Sequence, residues 1–598
     1  MKLSNLLLFV GLSIPLNIKA SELMKEIEAV ESGLRDKVHF TQEPLWNIEE
    51  RMAHYQIPGV SIAVIKDYKV HWVKSYGVAD KNLKTPVTTD TLFQAGSISK
   101  SVTAYAALKL VEQKSLSLDS PVNQQLSDWK IPENEFTKKT PVTLKHLLSH
   151  SAGLNVHGFI GHQKGTDIPT IKQILNGLKP ADTDAIRVVA QPGKQFKYSG
   201  GGYTVIQKLM TDVTNMTFPN IMNKLIVQPL KMTNSSFQQS HLPEVEDMYA
   251  TGYLSNGKAV VGKTYIFPGA AELSTTAEDL AKFTIDIQLA IKSDSSQVLS
   301  KPMVNIMLTP VVREFYGLGF ELVNKKEQNY FLHTGRVPGF LATLVAHKEK
   351  GFGLVIMLNS EKITPFMQEL TNSVASHYQW DKYISPIFKK LQINKHELQR
   401  ITGRYKFQPD VSFEVYTANQ RLYKKEPLQP SEEMFKVGEN EFITKTDDTI
   451  IRFQKNAVTG AIEYGVEMGN GKFWGRPRLQ DNEKMPLDLV ILGKVEEAEK
   501  SYLKFFEERP KFKNSSEIAL LQTIDKLDNL TENHPTLQML EMSTRLYPNG
   551  SRSWKSLADY YLQRGDKGGA IQTYEKALKF QPENEEFKLQ IDSLKENA

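Results

Sequence analysis

Phe93-Gln94-Ala95-Gly96-Ser97-Ile98-Ser99-Lys100-Ser101-Val102-Thr103-Ala104 is the stretch on which the reading of this chain turns. Ser97 and Lys100 form an S-x-x-K motif. The motif alone says little, because it recurs at Ser127, Ser255 and Ser501. Its setting distinguishes this copy. Ile98, Val102, Tyr105 and Leu108 follow Ser97 at helical spacing. That places Ser97 at a helix N-terminus, where unpaired N–H groups and the helix dipole favour developing negative charge. Lys100, three residues on, shares its face. The competing serines lie in a polar loop, a glycine turn and the C-terminal helical region. A serine hydroxyl needs a neighbouring base before it attacks a carbonyl carbon. An amine held in a partly desolvated pocket loses proton affinity and can act as that base. Ser97 is thus the expected nucleophile, and Lys100 is expected to serve as its base or to tune one.

Working outward, residues 60–65 alternate in the manner of a strand, 66–69 make a turn, and 70–76 read as the returning strand. Helical patterns dominate from about 97 to 232. Strands return near 316–323 and from 330 to 358, and a helical stretch follows at 365–377. Strands at both ends of a helical segment predict an α+β fold: one antiparallel sheet built from distant pieces, with an inserted helical lobe.

FQAGSISKSVTA is followed, in order, by LSLDSPV, TLKHLLSHSAGL, QPGKQFKYSGGGY, VQPLKMTNSSF, AAELSTTAEDLAKF and HTGRVPGF. Together, over residues 45–359, these segments resemble the class C β-lactamases, serine DD-peptidases and related esterases. The resemblance implies a serine hydrolase that needs no cofactor and transfers acyl groups through a Ser97 acyl-enzyme. Tyr198, in Tyr198-Ser199-Gly200, stands where the family has the tyrosine of its Y-x-N motif. It would relay protons, as general base and then as acid towards the leaving group. A phenol ordinarily titrates near about 10, so a cationic neighbour such as Lys100 is expected to bring it towards neutrality. The alternative is a tyrosine merely packed behind a glycine-rich turn.

His333-Thr334-Gly335 occupies the place of the K-T-G triad. By the resemblance, the backbone N–H groups of Ser97 and Arg336 form the oxyanion hole, an arrangement worth several kcal/mol (about 3) in acyl transfer. Thr334, Gly335 and Gly200 are the expected substrate-binding residues, with Gly335 allowing substrate close to the backbone. His333 replaces lysine and is expected to orient a carboxylate or join the proton relay, or else only to shape the pocket. Gly200 replaces the asparagine whose amide meets a substrate's acylamide group, which predicts a roomier site. Both departures tilt the expected substrate towards an ester or a D-amino-acid peptide and away from a β-lactam-like amide. The rival reading is a non-catalytic cell-wall-peptide-binding or scaffolding protein that uses the same pocket.

Other constellations carry less. His146, His150, His157 and His162 lie close in sequence, with His146 and His150 at i, i+4, but no H-E-x-x-H is present and the segment matches the serine family, so no metal is expected. Gly200-Gly201-Gly202 lacks the ending of a phosphate-binding loop, and no G-x-S-x-G surrounds Ser97. Glu272 and Ser274 are expected in the cavity wall or against substrate.

The ends of the chain differ from the middle. Lys2, an apolar run over 6–16 and Ala20 read as a signal peptide over residues 1–20, which predicts export to the periplasm, or secretion; a retained anchor is the alternative, the run being short for a span. The hydrolase domain is expected over 21–390. From 395 to 480, short alternating segments between Gly, Asn, Asp and Pro predict a small all-β barrel or sandwich. Over 490–598, Trp554, Leu557, Ala558, Tyr561, Ala570, Tyr574, Ala577 and Pro582 follow tetratricopeptide-repeat spacing, with weaker copies ending at Pro548 and Pro510. Such repeats would present a groove to a protein or peptide partner; plain helical hairpins are the alternative. The 598 residues carry 73 basic and 68 acidic side chains and no cysteine. That near balance, without a basic run, gives no reason to expect nucleic acid, and disulfides or a thiol nucleophile are excluded.

Overall fold

The computed structural model describes residues 14–596 apart from 160, 164–165, 239–246, 261–263, 266–267, 294, 324–328, 381–382, 385, 469–471 and 531–533. Most of the expected leader, residues 1–13, lies outside that set, and the expected cleavage point after Ala20 falls within a helix, α1 (Ile14–Glu31). Among the described residues no helix is long and apolar enough to cross a membrane. The chain divides into two compact units, residues 1–36 with 44–385, and residues 37–43 with 386–598.

The first unit is built on a seven-stranded antiparallel sheet. Its strands are β1 (Gly59–Lys66), β2 (Lys69–Asp80), β3 (Thr85–Pro86), β4 (Glu321–Val323), β5 (Tyr330–Val337), β6 (Phe340–His347) and β7 (Gly353–Leu358), in the spatial order β3-β2-β1-β7-β6-β5-β4. Ile62 pairs with Ile356, so the sheet joins distant parts of the chain as the sequence pattern predicts. The strand expected over 60–65 is present, and neither of its faces meets solvent. β1 is buried on both faces. Ile62 and Val64 enter one core with α1 and α5 (Phe366–His377), whereas Ala63 and Ile65 enter another with the helical lobe. A central strand covered on both sides has no polar face to show.

The lobe surrounds α2 (Ile98–Glu112), which is buried along nearly its whole length. Such a helix must satisfy any polar side chain it buries. Ser99, Ser101 and Thr103 donate to the carbonyls of Gly96, Gly319 and Gly269 at 2.6, 2.6 and 2.9 Å. Ser99 Oγ also accepts from Leu273 N at 3.0 Å. Segment 269–273 is thereby tied along α2. Two further helices, α3 (Gly200–Thr214) and α4 (Ala277–Ser293), complete the frame around it.

The second unit opens with eight strands paired in sequence order and antiparallel throughout: β8 (Gly403–Gln408), β9 (Val411–Ala418), β10 (Arg421–Lys425), β11 (Glu432–Gly438), β12 (Glu441–Thr444), β13 (Ile451–Lys455), β14 (Ile462–Glu467) and β15 (Phe473–Pro477). Tyr405 bridges Arg478, and Leu479 N donates to Arg404 O at 2.8 Å, closing the sheet on itself. Of the two expected forms it is the barrel, filled by Tyr405, Phe413, Phe442, Phe453 and Tyr464. Closure removes the exposed strand edges that would otherwise invite association. Helices α6 (Pro486–Ile491), α7 (Val495–Glu508), α8 (Lys513–Leu530), α9 (Thr536–Leu546), α10 (Ser551–Gln563), α11 (Lys567–Leu578) and α12 (Glu585–Glu596) follow. Ala498, Tyr502, Trp554, Ala558, Ala570, Tyr574 and Ala577 are buried between them. Val411 of the barrel shares a core with Leu487, Val490 and Tyr502, and Tyr502 Oη donates to the buried Asp410 carboxylate at 3.3 Å.

Candidate active site

Ser97 sits where β5 and the turn before α2 press together. Gly96 has φ +53°, a conformation open to glycine without strain. A Cβ added there would lie 2.8 Å from Arg336 N. A Cβ on Gly335 would fall 1.9 Å from Ala95 O and 3.2 Å from Ser97 N. Two glycines therefore let the backbone at 95–97 meet the backbone at 335–336. Gly335 itself packs on Ala95, so its smallness is required by the neighbouring backbone.

Lys100 Nζ donates to Ser97 Oγ at 3.0 Å and to the Ala270 carbonyl at 2.6 Å. The carbonyl is where it is because Thr103 holds Gly269 O from one side and Gln207 Oε1 accepts from Gly269 N at 3.0 Å on the other. Lys100 is 3% exposed, and burial lowers its amine to about 7. Near neutrality a large fraction of it is thus unprotonated.

Tyr198 shares a hydrogen bond with the Ser97 hydroxyl. It immediately precedes Ser199, the N-cap of α3, which is fixed three ways. Ser199 Oγ accepts from Gly202 N at 3.1 Å, donates to Val156 O at 2.6 Å, and its own N–H donates to His150 Nδ1 at 3.1 Å. The His150 ring lies 4.2 Å from the Tyr198 ring, centroid to centroid. Burial pushes the phenol up to about 12, opposed by the Ser97 hydrogen bond and reinforced by the Glu321 charge. This reverses the expected shift: although Lys100 Nζ stands 5.2 Å from the Tyr198 ring centroid, desolvation dominates. The resting site pairs a partly neutral amine with a protonated phenol.

His333 is 2% exposed and held neutral, lowered to about 4 by burial and secondarily by the Lys100 charge. Its Nδ1 donates to the Thr334 carbonyl at 2.7 Å, leaving Nε2 as an acceptor 3.5 Å from the Tyr316 hydroxyl. A neutral imidazole carries no charge with which to hold a carboxylate.

A cavity of about 450 Å³ joins these groups, lined among others by Ser97, Lys100, Tyr198, Gly200, His333, Thr334 and Arg336. At Gly200 a Cβ would meet His157 O at 3.1 Å and Phe159 Cε2 at 3.2 Å. The segment around His157 and Phe159 therefore takes up much of the room that glycine leaves, and the expected enlargement is partly cancelled. Glu272 and Ser274 are buried outside the cavity lining. His146 caps its own helix by accepting from Thr143 N, and His150 holds Ser199; the His162 side chain lies outside the described residues. The sequence reading missed Tyr316, Glu321 and the Ala270 carbonyl. Glu321 falls in a stretch recognised as β-type, but nothing in that stretch distinguishes an exposed strand glutamate from one beside the site.

The Beta-lactamase family profile matches residues 47–379, more than half of the chain. The chain belongs to the Beta-lactamase family. Two relatives illustrate the range of this serine hydrolase family. Protein flp of Staphylococcus aureus (strain MRSA252) is 23% identical over 350 residues, covering 56% of this chain and 67% of that protein. Penicillin-binding protein 4* of Bacillus subtilis (strain 168) is 24% identical over 408 residues, covering 63% and 86%. Among solved structures, the octameric penicillin-binding protein homologue from Pyrococcus abyssi matches with a TM-score of 0.50 at 26% identity, over 72% of this chain and 97% of that one. The beta-lactamase-family region coincides with the unit that holds Ser97, Lys100, Tyr198 and His333.

Proposed function

We propose that this protein is an exported acyl hydrolase that works through a Ser97 acyl-enzyme on an ester or a D-amino-acid peptide, with β-lactam-like amides as poorer substrates. The observation that carries the reading is the 3.0 Å contact between Ser97 Oγ and an amine lowered to about 7. Neutral Lys100 takes the Ser97 proton while Oγ bonds to the substrate's carbonyl carbon. The N–H groups of Ser97 and Arg336 receive the oxyanion. As the bond to the leaving group breaks, Tyr198 gives its proton to the departing oxygen or nitrogen, and the Lys100 ammonium returns a proton to Tyr198. A water molecule then attacks the acyl carbon, losing its proton to Lys100, and as the bond to Ser97 Oγ breaks the Lys100 ammonium returns that proton to Oγ, freeing Ser97 and the acid.

Two features support the preference among acyl donors. His333 is neutral where a charged lysine would attract a substrate carboxylate, and Gly200 offers no side-chain amide to an acylamide group. Residues 490–598 are read as tetratricopeptide-like repeats that dock a protein or peptide partner, a role separate from the chemistry. Labelling purified protein with a fluorophosphonate or fluorescent penicillin, beside Ser97→Ala, tests the nucleophile. Equal labelling of the two folded proteins would favour a non-catalytic binding protein instead. Turnover of an ester, a D-amino-acid peptide and a cephalosporin then ranks the donors.

A further inference from the structure

Strand β4 pairs with β5 only through Tyr330, Phe331 and Leu332, and it begins at Glu321, opposite Leu332. The next residue of β5 is His333, where the free edge alongside Ser97 begins. Glu321 therefore marks the point at which the sheet stops covering itself and the cavity starts, and it lines that cavity with Ser97, Lys100 and Tyr198. Its carboxyl has no hydrogen-bond or ion-pair partner among the described residues. Burial raises its proton affinity, and its charge is felt by Tyr198 and Tyr316. A half-buried carboxylate without a partner is unfavourable until a cation arrives. Tyr198 and Phe159, whose aromatic faces also attract cations, line the same cavity. Arg336, the cationic lining residue of β5, is four residues beyond Leu332, about 13 Å along a strand, too far to neutralise Glu321.

We propose that Glu321 forms an ammonium subsite on the leaving-group side of the cavity, so that the preferred acyl donors carry a positively charged amine in the alcohol or amine they release. The side follows from Tyr198: the proposed proton donor to the leaving group lines the same cavity as Glu321, and the Glu321 charge reaches it. The assignment of a side rests on the proposed hydrolase chemistry, whereas the ammonium site itself does not. A carboxylate in the same place, as in a β-lactam or a peptide C-terminus, meets like charge at Glu321.

The test compares a choline ester with the 3,3-dimethylbutyl ester of the same acid, a pair that differs only in a charged nitrogen replacing a carbon. Wild type is expected to favour the choline ester at least tenfold in kcat/KM, Glu321→Gln to bring the ratio within about twofold of one, and Glu321→Lys to invert it. Calorimetric binding of the same pair to Ser97→Ala, with and without Glu321→Gln, reads the site without turnover. Hydrolysis of both esters with no discrimination in either assay overturns the subsite and leaves the hydrolase standing. Discrimination in binding without hydrolysis of either ester keeps the subsite and removes the hydrolase. Neither hydrolysis nor discrimination removes both.

Discussion

Lys100 Nζ lies 3.0 Å from Ser97 Oγ, and burial has lowered that amine to about 7. The base is therefore active in its neutral form. For a neutral ester, kcat/KM should rise with pH along a limb centred near 7 and level off above it. Lys100→Arg keeps the charge and removes the limb, with a rate loss of about 10²–10⁴. The same burial weakens the fold. An unfolded lysine holds its proton up to about 10.4, so between that pH and about 7 the unfolded chain binds the extra proton and stability falls as pH is lowered. Lys100→Met should then be inactive yet more stable at pH 7, by on the order of 3–5 kcal/mol in denaturant titration. A destabilised Lys100→Met protein would contradict the shift.

Tyr198 stays protonated well past neutrality, because desolvation holds it near 12. Its contribution is a proton given to the leaving group. Tyr198→Phe should lower kcat about 10²–10⁴-fold for an alkyl ester or peptide but far less for a 4-nitrophenyl ester, whose leaving group departs without a proton. Equal losses on both substrates would mean that the phenol acts before the leaving group departs.

His333 is neutral in the fold down to about 4, whereas a free histidine binds its proton near about 6.5. Between these values the unfolded chain holds more protons, so stability should fall as pH drops from about 6.5 to about 4, by up to about 3 kcal/mol. His150, also held well below its usual value by burial, adds in the same direction. His333→Gln should flatten part of the acid limb in urea titrations across that range. An unchanged limb would place the acid sensitivity elsewhere.

Gly335 has no space for a methyl group, with Ala95 O only 1.9 Å from where its Cβ would stand. Gly335→Ala should lower the unfolding free energy by about 1–3 kcal/mol. It should also spread Arg336 N from Ser97 N, reducing kcat more than KM. A thermal melt and steady-state kinetics on the same sample check both.

Much of the site is legible in the sequence because its parts are local. Ser97 and Lys100 are one helical turn apart, and Tyr198 and His333 stand in short ordered motifs. Burial is not local, and there the reading fails: a cation near Tyr198 suggests a lowered phenol, whereas loss of water around the ring raises it. The Gly335 motif identifies a tight approach without saying which backbone makes it. Glu321 reaches the site through pairing of β4 with β5, and Tyr316 bridges Glu321, relationships that no segment spacing records. The alternation over 60–65 correctly marks a strand, yet the residues sort between two cores, a distinction that depends on helices far along the chain.

In the C-terminal half, Tyr502 of the first helical hairpin reaches back to Asp410 at the turn of a barrel hairpin, and Val411 beside it is buried among helical side chains. Barrel and C-terminal helices are thus not interchangeable cassettes. A protease nick or a deletion that removed α7 would uncover Val411 and leave the buried Asp410 carboxylate without its phenol, so damage to the tail would register at the turn between β8 and β9.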